Sequence, residues 1–304
     1  SIEELAAQCG AHQDSLHRLM RALTNLGLFE ESAPGRFKLT DMGNALRRDV
    51  PDSAWAGVVF WGDFLADSWS HLTECVKTGE PAARAMERAG MVSRWSQDPN
   101  AAAIFRAVMG TAPAEDYAAL AEAFDFSRWQ TVADIGGGGG ALIVAILRRY
   151  PHLTGMLVDR SASVEAAAPR IAREALEARC RLVAVDVLEE APPPADIHVL
   201  KHVLHGYDDD RVVRILQQCR SSMPADGRVL VIEFILPRVV NSEDPAMERT
   251  FMSDLNMLAA TGGKERTEAD WAQLAERAGL RVLQVLPVHG ETVSIVECSA
   301  AGLV

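Results

Sequence analysis

A chain of 304 residues, 48% of them hydrophobic, is long enough to bury a large core and to divide into two domains. Its formal net charge of −12 argues against a nucleic-acid partner or an anionic membrane, both of which ask for a basic surface. Five scattered cysteines (Cys9, Cys75, Cys180, Cys219, Cys298) form no Cys-x-x-Cys pair, no apolar run is long enough to span a membrane, and no secretory signal is present. A cytoplasmic protein with reduced thiols is expected.

Ser1-Ile2-Glu3-Glu4 reads as a capping box. The chain therefore starts inside a helical pattern, and a native segment is expected ahead of it. Residues 13–26 put Leu16, Leu19, Met20, Leu23 and Leu26 on one helical face, and Gly27 ends that helix. Leu28-Phe29-Glu30 and residues 36–40 flank a Pro34-Gly35 turn as a small β-wing. The sum is a winged-helix pattern, which serves either DNA binding or dimerisation. Residues 1–50 carry seven acids against six Lys and Arg, and the second helix offers only Arg18 and Arg21. Without a basic face the main electrostatic contribution to DNA affinity is missing, so dimerisation is the expectation.

Residues 51–125 read as helical, punctuated by Pro81 and Pro99. Trp55, Phe60, Trp61, Phe64, Trp69, Trp95, Phe105 and Met109 form a stripe that is expected to be mostly core, with a minority lining a pocket for a flat ligand. From residue 131 short β-branched runs (132–135, 155–159, 181–185, 197–200, 229–233) alternate with helices. This predicts an α/β, doubly wound, largely parallel sheet with helices on both faces. Only residues 287–291 separate two final strands, 281–286 and 292–297, which forces that pair to be antiparallel.

The first of these strands ends at Asp134-Ile135 and runs into Gly136-Gly137-Gly138-Gly139-Gly140, followed by a helix. Such a loop lets a ligand approach the backbone closely. Gly136, Gly138 and Ala141 also satisfy a dinucleotide fingerprint, with Asp159 near the position of its ribose-binding acid. Three features favour S-adenosylmethionine over NAD. Asp134 ahead of the glycines suits a ligand with a cationic amino group and sulfonium, whereas a pyrophosphate prefers a bare helix N-terminus. Asp186 follows the third strand, and the last two strands are antiparallel.

The fourth strand leads into Lys201-His202-Val203-Leu204-His205-Gly206-Tyr207. His205 falls just past the carboxyl end of a parallel strand, where open α/β sheets bind ligands. With Glu233 after the fifth strand and Glu265 in Gly262-Gly263-Lys264-Glu265-Arg266-Thr267, it makes general-base equipment suited to methyl transfer. His202 is read as structural. Asp208 to Asp210 read as an N-cap and dipole partner rather than a metal site, since no histidine stands at ligand spacing.

These motifs, Asp-Ile-Gly-Gly-Gly-x-Gly at 134–140, Lys201-x-x-x-His205, Val231-Ile232-Glu233 and above all 262–267, resemble the small-molecule O-methyltransferases. That family is typified by plant caffeic acid and flavonoid enzymes and by bacterial antibiotic-tailoring relatives. Weaker similarity reaches Ser68-Trp69-Ser70-His71-Leu72 and Asp98-Pro99, and the winged helix resembles the family's dimerisation domain. The resemblance implies a Rossmann-like class I methyltransferase fold over 98–304 behind a helical dimerisation domain over 1–97. It implies S-adenosylmethionine as cofactor, a homodimer, no metal, and transfer to a hydroxyl of a small aromatic natural product. Position by position it implies His205 as base, with Glu233 and Glu265 beside it. Cofactor contacts would come from Gly136, Gly138, Asp159, Asp186, Val187 and Lys201, and substrate contacts from Phe105, Met109, Asn256 and Met257. The chain departs from the family at Gly206 and Tyr207, where relatives usually carry Asp and Trp. It also departs between Asp254 and Gly262, one residue shorter than in plant members. The alternatives are a nitrogen acceptor, or a member that binds S-adenosylmethionine but catalyses a hydroxylation or pericyclic reaction.

Overall fold

Alternation along each strand of the larger sheet decides the architecture. The computed structural model describes residues 1–50, 53–88, 98, 100–110, 117–241, 244 and 247–302, in two compact units, Ser1–Asp63 and Phe64–Val304. Trp95 and Pro99 lie outside the described residues.

In the first unit the Ser1 hydroxyl caps the helix Ile2–Cys9 and Glu4 closes the capping box in return. The helix Gln13–Asn25 follows, then β1 (Phe29–Ala33) and β2 (Arg36–Leu39), antiparallel around Gly35 at φ 70°. Of the predicted stripe on the second helix only Met20 is buried, whereas Leu19 and Leu26 stay exposed. The pattern thus marks an apolar face that is exposed in part among the described residues.

In the second unit the sheet contains β3 (Thr131–Ile135), β4 (Thr154–Asp159), β5 (Cys180–Ala184), β6 (Ile197–Lys201), β7 (Arg228–Leu236), β8 (Arg266–Thr267), β9 (Leu280–Pro287) and β10 (Val293–Ala300). Their order is β5-β4-β3-β6-β7-β10-β9, with β8 attached to β7. β3 to β7 run parallel, and β10 runs antiparallel to both β7 and β9. This is the class I methyltransferase arrangement. Val132, Ile197, Val199, Leu230 and Ile232 point into one core with the helix Ala141–Arg149. Ala133, Ile135, Leu200, Val229 and Val231 point into the other, with the helices Asp209–Ser222 and Glu268–Arg277. Period-2 alternation with apolar residues on both faces is what a sheet buried between two helical layers requires.

The helices Ala66–Ser70, Leu72–Thr78 and Ala82–Arg88 belong to this unit and pack on the helix Met247–Ala260. The aromatic stripe is less of a core than its spacing suggests. Phe60 is buried, but Trp61, Phe105 and Met109 are 58%, 44% and 50% exposed. Helical periodicity reports an apolar face, not what covers it. Among the described residues no helix is long and apolar enough to cross a membrane. The five cysteines are unpaired, and all but Cys9 are buried.

Candidate active site

Strand order reverses between β3 and β6, which leaves a crevice at their carboxyl ends. The glycine loop opens from β3 on one side of it, and residues 201–205 leave β6 on the other. A Cβ at Gly136 would stand 2.6 Å from Val203 Cγ2, so glycine there lets the two loops close together. Gly138 has φ 52°, faces open space, and donates its N–H to Asp159 Oδ2 at 2.9 Å. Asp159 ends β4, and Asp186 lies exposed just past β5, its carboxylate accepting from the Leu188 N–H. Val187 packs against the core beneath, and Lys201 ends β6 with its ammonium 4.9 Å from the Tyr117 ring centroid.

Asp134 is differently placed from the sequence-based expectation. Its carboxylate is 2% exposed and turned under its own loop, with Oδ2 lying 2.7 Å from the Cβ position of Gly137 and lacking a hydrogen-bond partner. Burial pushes its pKa up to about 7; the charge of Asp159 adds to the rise and Lys201 opposes it. Its influence on a ligand above the loop is therefore one of charge rather than contact.

His205 stands in a short 3-10 turn, Leu204–Gly206. Its Nδ1 lies 2.8 Å from Glu265 Oε1 and 3.5 Å from Glu233 Oε2. A carboxylate only accepts, so Nδ1 carries the proton and donates, and Nε2 keeps a free lone pair. Burial alone would lower the His205 pKa; the charge of Glu233, the hydrogen bond to Glu265 and the charge of Glu265 outweigh it and raise it. Glu233 is fully buried. Its Oε1 accepts from the N–H groups of Val203, Leu204 and His205 at 3.1, 3.0 and 3.3 Å, so it shapes the turn as well as charging it. Burial would raise the Glu233 pKa, but the charge of His205 and the hydrogen bond from His202 hold it below the ordinary carboxylate value.

Residues that the sequence left unassigned hold this arrangement. Ser253 donates to Glu265 Oε1 at 2.6 Å, and Asp254 accepts the Glu265 N–H at 2.8 Å. Arg266 is wholly buried and donates to the carbonyls of Leu204, Lys264 and Tyr207 and twice to Asp209 Oδ1. Lys264 Nζ reaches Asp209 as well, at 2.8 Å. The acid run has the structural role expected of it, with Asp208 capping the helix Asp209–Ser222 at the Arg211 N–H. A Cβ at Gly263 would stand 1.9 Å from the His205 carbonyl oxygen, so only glycine lets residues 262–267 lie against the turn. Glycine and charge in that motif were legible; its dependence on the His205 carbonyl was not.

His202, read as structural, joins the site. Its Nδ1 lies 3.1 Å from Glu233 Oε2, and its ring stacks 5.2 Å from that of His205 at 19°. His202, His205 and Glu233 bring ligand atoms within 4.8 Å of one another. Two nearly parallel rings do not aim their in-plane lone pairs at one ion, however, and both Nδ1 atoms already face carboxylates. Asn256 accepts from the Trp69 indole N–H, and Met257 is half-buried on the same helix. At the opposite end of the sheet, where β7 begins, Arg128, Trp129, Arg228 and Arg281 line a surface depression that takes no part in this site.

A class I fold with a glycine cradle beside a carboxylate-held histidine is the architecture of an S-adenosylmethionine-dependent methyltransferase. The O-methyltransferase domain family matches residues 69–281 and the O-methyltransferase dimerisation domain matches residues 1–49, so the chain belongs to the O-methyltransferase family. It is similar to the phenazine O-methyltransferase PhzM of Lysobacter antibioticus, 34% identical over 97% of this chain and 85% of the relative. It is also similar to the O-demethylpuromycin-O-methyltransferase of Streptomyces alboniger, 37% identical over 95% and 77%. Among solved structures, NcsB1 of neocarzinostatin biosynthesis superposes with a TM-score of 0.79 at 32% identity, covering 99% of this chain and 89% of that one. That structure holds S-adenosylmethionine and 2-hydroxy-5-methyl naphthoic acid. A phenazine-1-carboxylate N-methyltransferase of Pseudomonas aeruginosa is 29% identical over 99% and 87%.

Proposed function

We propose that the protein methylates a hydroxyl of a small aromatic natural product, with His205 as general base and no metal. The observation that carries this reading is the His205 imidazole, whose Nδ1 is taken up by Glu265 at 2.8 Å so that Nε2 is free to accept a proton. S-adenosylmethionine, when bound, supplies an electrophilic methyl group on a sulfonium that leaves as a neutral thioether. His205 removes the acceptor's hydroxyl proton at Nε2 as the O–CH₃ bond forms and the S–CH₃ bond breaks. The imidazolium so formed faces two carboxylates.

The residues present fit the cofactor. Gly138 offers a backbone face with nothing above it, and Asp159 ends the neighbouring strand where a ribose could be met by a carboxylate. The buried Asp134 carboxylate, whose ionised form burial disfavours, gains from a cation held over the loop through charge. Gly136, Gly138, Asp159, Asp186, Val187 and Lys201 are the proposed cofactor contacts. Phe105, Met109, Asn256 and Met257 are the proposed substrate contacts. NcsB1, with its bound naphthoic acid, supports an aromatic acceptor. We further propose a homodimer, residues 1–97 holding the protomers together and residues 98–304 carrying cofactor and base. The family's dimerisation domain and the exposed Leu19 and Leu26 support it.

The pH profile tests the base. A general base works when neutral, and the His205 pKa lies above the ordinary histidine value of 6.5. The rise of kcat/KM with pH is therefore expected to be centred above 6.5. Glu265→Gln removes a negative charge that favours the protonated ring, so its rise is expected about one unit lower. A wild-type rise centred below 6.5, or no movement in the variant, contradicts the assignment.

A further inference from the structure

We infer that His202 is a positioning residue for the base: its hydrogen bond engages Glu233 Oε2, so that Glu265 rather than Glu233 takes the Nδ1 proton of the catalytic imidazole. The inference rests on His205 being the base.

Glu233 Oε1 is already occupied by three backbone N–H groups. Oε2 remains, and two imidazoles face it: His202 Nδ1 at 3.1 Å and His205 Nδ1 at 3.5 Å. His205 has one Nδ1 proton to give, and it goes to Glu265 at 2.8 Å. His202 is thus the nearer donor to the oxygen that would otherwise compete with Glu265 for the base.

The backbone supports a selected role. His202 sits at φ 52°, a left-handed conformation that costs a non-glycine residue free energy and persists only when its surroundings enforce it. The enforcing contacts are the Glu233 hydrogen bond, the stack on His205, and Phe234, whose ring centroid lies 5.0 Å away. The charged and titratable groups around the pair are Glu233, Glu265 and Lys201, with Ser253 on Glu265. Burial keeps His202 below its ordinary pKa against the pull of Glu233, so it stays a neutral donor while His205 cycles.

Glycine and asparagine both tolerate a positive φ and both remove the ring stack on His205, and of the two asparagine keeps an N–H donor. In His202→Gly the freed Glu233 Oε2 draws the His205 Nδ1 proton and favours the imidazolium. The rise of kcat/KM is expected to move up by about one pH unit. His202→Asn is expected to restore most of that shift. S-adenosylhomocysteine binding by calorimetry checks that each variant is folded. A folded glycine variant with the wild-type profile, or an asparagine variant shifted as far as the glycine one, overturns the inference. Either result, alongside an inactive His205→Ala, leaves the base assignment standing, whereas full activity in His205→Ala overturns both. If the glycine variant does not fold, nitrogen-15 NMR of the wild-type histidines decides. A neutral, Nδ1-protonated His202 is expected where His205 titrates, and a His202 that is Nε2-protonated or titrates with His205 overturns the inference.

Discussion

Replacing His205 by alanine is expected to lower kcat by about 10³-fold, within the usual range for loss of a general base, while S-adenosylmethionine binds as before. The two effects separate because the imidazole follows β6, while the proposed cofactor contacts, Lys201 at the end of β6 excepted, come from other strands. The base follows β6, whereas Gly136, Gly138 and Asp159 lie on the β3 and β4 side of the crevice. Among the described residues the side chain of His205 bonds to neither loop on that side, and its Nδ1 faces Glu265 and Glu233. Calorimetry for the cofactor and a turnover assay on the same preparation check both halves. A variant that keeps wild-type kcat contradicts the role, and one that loses cofactor affinity makes His205 part of the cradle instead.

Arg266→Met is expected to destabilise the fold by about 3–5 kcal/mol, the usual cost of stripping a buried charged partner. Its guanidinium fits no surface role. Every bond it makes is to a carbonyl or carboxylate in or beside the His205 turn, and it lies 5.4 Å from the Trp271 ring centroid. Methionine fills similar volume but leaves the carbonyls of Leu204 and Tyr207 without these donors and Asp209 with Lys264 as its remaining bonded cation. Urea denaturation reads the stability change. A loss below about 1 kcal/mol contradicts the clamp, because that is the scale of an exposed ion pair.

The parts of this molecule legible in the sequence are those governed by local periodicity. The parallel strands announce themselves by β-branched runs, and the final antiparallel pair by a link too short for a crossover. β8 escaped notice because two residues paired to Ile235 and Leu236 have no periodicity to detect. His205, Glu233 and Glu265 were legible as chemistry at strand ends, and the structure brings them together. Arg266 and Ser253 were not, since their partners are carbonyls and a carboxylate whose proximity exists only after folding. His202 was read as bland because a lone histidine usually is. What changes its reading is a positive φ and a shared carboxylate, neither of which leaves a mark on the sequence. The exposed Phe105 and Met109 mark the same limit from the other side.

Methyl transfer itself is tested most directly with S-adenosylmethionine labelled in its methyl group, incubated with the protein and a panel of phenolic and enolic polycyclic aromatics. The account predicts labelled methyl on an acceptor oxygen, with S-adenosylhomocysteine released in equal amount and both lost in His205→Ala. Tight cofactor binding with an altered but unlabelled acceptor, or label found on nitrogen alone, would contradict it.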